Sequence, residues 1–364
     1  MKFQADRETL LKPIQAVIGV VERRQTMPIL ANMLLVANDS GLAVTATDLE
    51  VELVANAALD VSQPGEVTVP GRKLLDICRA LPDGAKVNVS LDKGKLVIKS
   101  GRSRFTLSTL PAGEFPSVDD IQSREQIEIG RGVVSELIDR THFAMAQQDV
   151  RYYLNGMLLE LREGRIRAVA TDGHRLAMCE AETATGETIQ VIVPRKGVLE
   201  LHRMLGTEDG NATIAFGTNH LRVTLGSARL TTKLIDGRFP DYERVLPKGG
   251  DKDVIADRQL LREALQRASI LSNEKYRGVR LQLAENLLKI QAHNPEQEEA
   301  EDEVEVKYGG PELEIGFNVN YLLDALGAVT TNDARITLTD GNSSCLIREP
   351  GNDRCKYVVM PMRL

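Results

Sequence analysis

Asp172, Gly173 and His174 put a carboxylate and an imidazole within three residues, the pairing that general acid/base chemistry needs. No nucleophile or metal-spaced set accompanies them, so a hydrolase built on Asp172 and His174 is the weakest reading these residues allow. The acidic run 296–305 holds seven carboxylates in ten residues, which suits a solvated loop or a metal site. Cys78, Cys179, Cys345 and Cys355 lack CxxC spacing and are too sparse for a disulfide scaffold, which predicts four reduced thiols. There is no phosphate-cradling GxxxxGKS/T loop and no HExxH helix, so no cofactor, metal or enzymatic activity is expected.

With so little reactive chemistry, the chain is better read for what it can hold or touch. Its 364 residues are 42% hydrophobic and 27% charged, average for a globular protein, which excludes a disordered or fibrous chain. At roughly 100–200 residues per domain it should form two to four domains. No run reaches the ~20 apolar residues of a membrane span. The charges at Lys2, Asp6, Arg7 and Glu8 come too early for a signal peptide, so the cytoplasm is the expected compartment and no membrane partner is expected. Trp is absent and aromatic residues make up 4%, leaving little for base stacking, and the net charge of −7 by itself argues against a nucleic-acid partner.

An internal repeat changes that picture. Val69-Pro70-Gly71-Arg72-Lys73-Leu74 returns as Val193-Pro194-Arg195-Lys196-Gly197-Val198 and, more faintly, as Phe317-Asn318-Val319-Asn320-Tyr321-Leu322. The steps from Pro70 to Pro194 and from Pro194 to Asn318 are both 124 residues. Ala46-Thr47-Asp48 and Ala170-Thr171-Asp172, Met33 and Met157, and Phe115-Pro116 and Phe239-Pro240 keep the same spacing of 124. Ala292-His293-Asn294 and Met360-Pro361 extend the register into a third copy. Several landmarks in one order predict three domains, 1–124, 125–248 and 249–364, each long enough for its own core.

Each copy reads as α+β. Leu10, Leu11, Ile14, Val17 and Ile18 recur at helical spacing over 7–18, then short β-rich runs at 33–36, 42–45 and 51–55 flank a turn. A second helix over 73–81 stops at Pro82-Asp83-Gly84, and a hairpin pairs 86–91 with 95–100. The six helical segments together carry nineteen bases and eleven acids, while the whole chain is at −7, so positive charge concentrates on the helices. Solvated helix faces explain this as well as a phosphate-attracting surface does. Six helices spaced ~10 Å apart around a ring leave a hole of ~10 Å, whereas twelve leave ~28 Å. Only the second admits duplex DNA, at least ~16 Å across, so two copies of the chain would be required.

The sequence closely resembles the bacterial DNA polymerase III beta subunit family, the replicative sliding clamps, over essentially its full length. The resemblance is carried by Met27-Pro28-Ile29-Leu30, Gln148-Asp149-Val150-Arg151-Tyr152-Tyr153-Leu154-Asn155-Gly156, Thr171-Asp172-Gly173-His174-Arg175-Leu176 and Asp236-Gly237-Arg238-Phe239-Pro240-Asp241-Tyr242. Leu271-Ser272-Asn273-Glu274-Lys275, Asn294-Pro295-Glu296-Gln297-Glu298-Glu299-Ala300 and Val358-Val359-Met360-Pro361-Met362-Arg363-Leu364 add to it. It implies three domains of the DNA clamp fold, with helices lining one face of curved antiparallel sheets. Two chains would join head to tail in a ring that encircles double-stranded DNA without sequence preference and tethers the polymerase. A monomeric three-domain binding protein is the alternative, distinguished by a mass of ~40 rather than ~80 kDa.

By position, the resemblance implies DNA contact at Arg24, Arg72, Gln148, Tyr152, Tyr153 and Lys196. Ordinary helix-start charge would account for Arg72 and Lys196, and a half-buried strand pair for Tyr152 and Tyr153. It implies a cleft for short hydrophobic peptides of the replicative polymerase alpha subunit, the clamp loader delta subunit, and other polymerases and repair proteins. The matching positions are Leu154, Thr171, Gly173, His174, Arg175, Leu176, Pro240, Arg244, Val245, Asn318, Tyr321, Asn342, Ser344, Val358, Val359, Met360, Pro361, Met362, Arg363 and Leu364. Asn342 stands at a rim position often aliphatic in relatives, and a sealed domain junction is the plainer reading of Met360 and Pro361. Dimer contacts are implied between Phe105 and Leu107 on one chain and Ile270 and Leu271 on the other, with Lys73 near Glu298 and Asp302 of the acidic run.

Overall fold

The computed structural model describes residues 1–21, 27–118, 121–184 and 186–363. Among them, one order of elements occurs three times: a strand, a helix, four strands, a second helix and three strands, with one extra short strand, Val61–Gln63, in the first copy. The helices are α1 (Arg7–Val17), α2 (Gly71–Ala80), α3 (Arg131–Asp139), α4 (Arg195–Leu205), α5 (Arg258–Ser269) and α6 (Val319–Ala328). Each forms because apolar residues recur on one side: Leu10, Ile14 and Val17 of α1, Leu74, Leu75 and Cys78 of α2, and Leu261, Leu265 and Ala268 of α5 are all buried. Asp257 and Asn318 cap α5 and α6, accepting from the backbone N–H groups of Leu260 and Asn320.

The chain packs into two compact units that cut across the repeat, residues 1–134 with 196–234, and residues 135–195 with 235–364. In the first unit a five-stranded sheet runs in the order Val61–Gln63, Lys2–Asp6, Lys86–Asp92, Lys95–Ser100, Ser103–Ser108. Beside it in sequence, an eight-stranded sheet joins strands of the first and second copies. The seam pairs Val51–Ala57 antiparallel with Ala228–Lys233, with Leu53 opposite Leu230 and Val51 opposite Thr232. In the second unit a twelve-stranded sheet joins the second and third copies the same way. Its seam pairs Arg175–Glu182 with Asn352–Val359, Arg175 opposite Val359. Because each seam is a hydrogen-bonded ladder, compactness follows the sheets rather than the sequence repeat.

Two open strand sides matter for assembly. Ser103–Ser108 pairs only with Lys95–Ser100 apart from its own hairpin turn. Glu299–Lys307 pairs along its length with Leu287–His293 but meets Lys252–Asp257 only at Val306 and Lys307, leaving the other side of 299–305 open.

The seam in the second unit corrects the expectation of four reduced thiols. Cys179 and Cys355, 176 residues apart, face each other in register with their Cα atoms 4.0 Å apart and are joined by a disulfide. Sequence spacing carries no sign of a pair created by strand register. Cys78 and Cys345 are free and buried, and burial pushes both thiols up to about 12. No helix among the described residues is long and apolar enough to cross a membrane.

Candidate peptide cleft and DNA-contact residues

In the second unit, the turn 171–175 links two strands of the large sheet and is braced first by its own residues. The Thr171 hydroxyl donates to the Arg175 carbonyl at 2.6 Å, and the Asp172 carboxylate accepts the backbone N–H groups of His174 and Arg175 at 2.9 and 3.0 Å. Gly173 has φ +88°, which glycine adopts with the least strain, and a Cβ there would lie 2.8 Å from the tip of the Arg151 side chain, which would have to move aside. The C-terminal segment then docks on this turn, the Met360 N–H donating to the His174 carbonyl at 2.9 Å and the Met362 N–H to Gly316 at 2.9 Å.

Those bonds bring together residues far apart in sequence. The Arg175 guanidinium lies 4.6 Å from the centroid of Tyr321 and 5.5 Å from that of Phe143, and pairs with both Asp172 and Asp324. The His174 ring stacks on Tyr321 at 6.4 Å between centroids. Below them lies an apolar cluster that includes Leu176, Phe239, Tyr242 and Val358, with Tyr153 and Val245 packed against it. Thus Leu154, Leu176, Val358 and Val359 are core rather than rim, Thr171 is nearly buried, and Met360 is 38% exposed. Pro240 precedes the turn that carries Arg244, whose exposed side chain pairs with Asp241 at 2.8 Å. Asn318 both caps α6 and donates to the Tyr276 carbonyl at 3.2 Å.

A cavity of about 480 Å³ continues from the C-terminal segment, lined by Asn342, Pro361, Met362 and Arg363 together with Arg280, Glu314, Gly316 and Gly341. Ser344 is half-buried nearby in sequence and does not line it. Phe143, Asp324, Arg280 and Glu314 escaped the sequence reading: no local pattern links Asp324 to Arg175, 149 residues away, or Arg280 to Glu314, which pair at 3.1 Å across adjacent strands.

Of the residues expected at DNA, Arg24 lies outside the described residues, as does Leu364 of the cleft set. Arg72 donates to the Val21 carbonyl at 2.8 Å, and Lys196 pairs with the buried carboxylate of Asp48. Gln148 is exposed with φ +56°. Tyr152 and Tyr153 sit in a single 3-10 turn, Tyr152–Leu154, and not in a strand pair; Tyr152 is 57% exposed, and their rings meet edge to face at 5.8 Å. The loop is braced by Asn155, which bridges to Asp149 in both directions at 2.9 Å, and by the Asp149–Arg151 pair. Arg151 holds the Asp149 carboxyl down at about 2.

Three family models match in succession: the DNA polymerase III beta subunit N-terminal domain over residues 1–119, its central domain over 128–241 and its C-terminal domain over 243–363. The chain belongs to the DNA polymerase III beta subunit family. It is 59% identical to the beta sliding clamp of Pseudomonas aeruginosa and 52% identical to that of Escherichia coli, with all of each chain covered. A crystal structure of the DNA polymerase III subunit beta from Pseudomonas aeruginosa superposes with a TM-score of 0.98 at 58% identity, again over all of both chains. That from Caulobacter crescentus gives 0.95 at 40% identity.

The fold is therefore the three-domain clamp fold, and the function is that of a sliding clamp, a non-catalytic processivity factor that works with DNA and DNA polymerase III. The ring dimer is the assembly known for beta clamps. The hydrolase reading has no support in the turn itself: the Asp172 carboxylate is taken up by two backbone N–H groups and the Arg175 guanidinium, so it is a structural bracket rather than a proton carrier.

Proposed function

We propose that this chain closes its ring by adding strand Ser103–Ser108 of one protomer to the open side of Glu299–Lys307 of the other. The observation that carries this is the repetition of the seam. Ala228–Lys233 follows the fourth helix as Ser103–Ser108 follows the second, and Val51–Ala57 has its counterparts in Arg175–Glu182 and Glu299–Lys307. Two of the three possible seams are made within the chain, and the third leaves one strand unpaired at each end. Transferring the register of the made seams sets Arg104 opposite Glu301, a favourable charge pair across strands, and Ser103 opposite Asp302. Phe105 and Leu107, on the inward side of their strand, would meet Ile270, which is 75% exposed, and Leu271. Such a contact joins unlike surfaces, and twofold rotation closes it.

The same repetition gives the test. Ser103 and Asp302 correspond to Cys355 and Cys179, which form a disulfide within the chain. Ser103→Cys with Asp302→Cys should therefore give oxidant-dependent covalent dimers, and each single variant none. Covalent dimers equally abundant in either single variant would overturn the proposed register.

Within the ring, Arg24, Arg72, Gln148, Tyr152, Tyr153 and Lys196 meet the DNA backbone, positioning it without reading sequence. Lys73, Glu298 and Asp302 belong to the rim of the dimer contact. The turn 171–175, Tyr321 and the segment 358–364 form the cleft for hydrophobic peptides of the polymerase alpha subunit, the clamp loader delta subunit, and other polymerases and repair proteins, working in the cytoplasm. Apolar walls with a few polar rim groups suit Leu or Phe anchors, and Met360 and Met362 adapt to several peptides. Domains bounded at 1–124, 125–248 and 249–364 fit the element order.

A further inference from the structure

The first unit contains a turn that copies the turn 171–175 but directs its carboxylate elsewhere. The Thr47 hydroxyl donates to the Val51 carbonyl at 3.0 Å, and one Asp48 oxygen accepts the N–H groups of Glu50 and Val51 at 3.0 and 2.7 Å. In the second copy one Asp172 oxygen does the same for His174 and Arg175, and the other accepts from the Arg175 side chain at 3.0 Å. Val51 stands where Arg175 stands, so the turn of the first copy holds no guanidinium for that second oxygen. The oxygen pairs instead with the ammonium of Lys196, at the start of α4 in the second copy. The turn itself does not need the charge: the third copy builds the corresponding bracket on a neutral side chain, the Asn294 amide oxygen accepting the N–H of Glu298 at 2.9 Å.

We infer that Asp48 is a positioning residue for DNA binding: it holds the Lys196 ammonium against a carboxylate and so weakens the contact that Lys196 makes with the phosphate backbone. The inference rests on reading Lys196 as a DNA contact. The Asp48 side chain is 4% exposed and that of Lys196 32%, so the ammonium is drawn toward the protein yet keeps N–H donors within reach of a phosphate. Close packing brings the pair together. A Cβ at Gly197 would lie 2.6 Å from the Thr232 hydroxyl, on the seam strand opposite Val51, whereas Lys73 and Tyr321 fill that place in the other copies. At the place of Lys196 those copies carry Arg72, which bonds the neutral Val21 carbonyl at 2.8 Å, and Asn320. With a carboxylate in contact, the Lys196 charge presents less field to a phosphate and releases it more readily. A ring that moves along DNA gains from that, because each full ion pair with the backbone adds to the barrier between successive positions.

The test is a salt titration of full-length protein on a fluorescein-labelled DNA duplex, read by anisotropy, for the parent, Asp48→Asn, Lys196→Gln and the double variant. Asp48→Asn retains an acceptor for Glu50 and Val51, as Asn294 does for Glu298, and thermal melts check each fold. Asp48→Asn should bind several-fold more tightly at low salt, its log–log salt slope steeper by up to the ~0.9 of one phosphate contact. Most of that gain should vanish in the Lys196→Gln background. Asp48→Glu, which keeps the charge, should return the slope to that of the parent. Unchanged or weaker binding by Asp48→Asn would overturn the inference, and so would a slope as steep for Asp48→Glu. A gain that persists in full without Lys196 would overturn it too, since the carboxylate would then act on DNA directly. Weakened binding by Lys196→Gln beside an unaltered Asp48→Asn would sink this inference alone. If Lys196→Gln binds as well as its background both with and without Asp48, Lys196 is no DNA contact, and the underlying reading falls as well.

Discussion

Arg140 shows how one residue holds a seam without touching any ligand. Its guanidinium donates to Glu349 at 2.7 Å, to Thr330 at 3.0 Å and to Glu136 at 3.2 Å, with both members of the Arg140–Glu349 pair nearly buried. Burial alone would raise the Glu349 carboxyl, but the hydrogen bonds from Arg140 and Thr330 outweigh it and hold it down at about 2. A carboxyl lowered in the folded state stabilises above its ordinary value of 4.5, and the contribution is lost as pH falls toward 2. Glu349→Gln should flatten that acid limb in thermal melts. Arg140→Ala strands a buried carboxylate and should cost about 3 kcal/mol at neutral pH by chemical denaturation. At Gly173, the left-handed backbone and the nearby Arg151 predict that Gly173→Ala weakens motif-peptide binding by calorimetry while leaving the dimer intact. The sequence drew attention to Asp172 and His174 as reactive groups; their real work is visible only with the backbone groups they face, which no spacing reveals.

At the scale of elements, much of the architecture was legible. Buried residues at helical spacing marked α1, and Pro82-Asp83-Gly84 marked the end of α2 to within a residue. The hairpin over 86–100 followed from alternation around Asp92-Lys93-Gly94. Pairing between distant strands was not legible, because an antiparallel ladder needs only β-competent residues on both sides and leaves no mark of its partner. Cys179 and Cys355 therefore went unpaired in the reading, and Asp324 and Arg280 went unnoticed beside the cleft. The open strands give an element-scale prediction. Phe105→Asp puts a charge on the inward side of Ser103–Ser108, where Phe105 is only half-buried. Sedimentation should find ~40 kDa monomers for Phe105→Asp and for Ile270→Asp, with helix and strand content retained.

For the whole molecule, the decisive feature was the 124-residue register, since it turned scattered basic helices into a repeated lining and made a ring of two chains the simplest closure. Helix charge is uneven within that repeat: α6 carries Asp324 and no base, so the attraction to phosphate comes from the other helices. Electrostatic attraction alone would make binding strongly salt-dependent, whereas a closed ring is held by topology. The most direct measurement loads the protein on nicked circular DNA with a compatible loader and ATP, washes at high salt, and then linearises the DNA. Retention on circles and release from the linear product is the predicted result. Loss from circles as fast as from linear DNA, with the loader verified active, would contradict the ring.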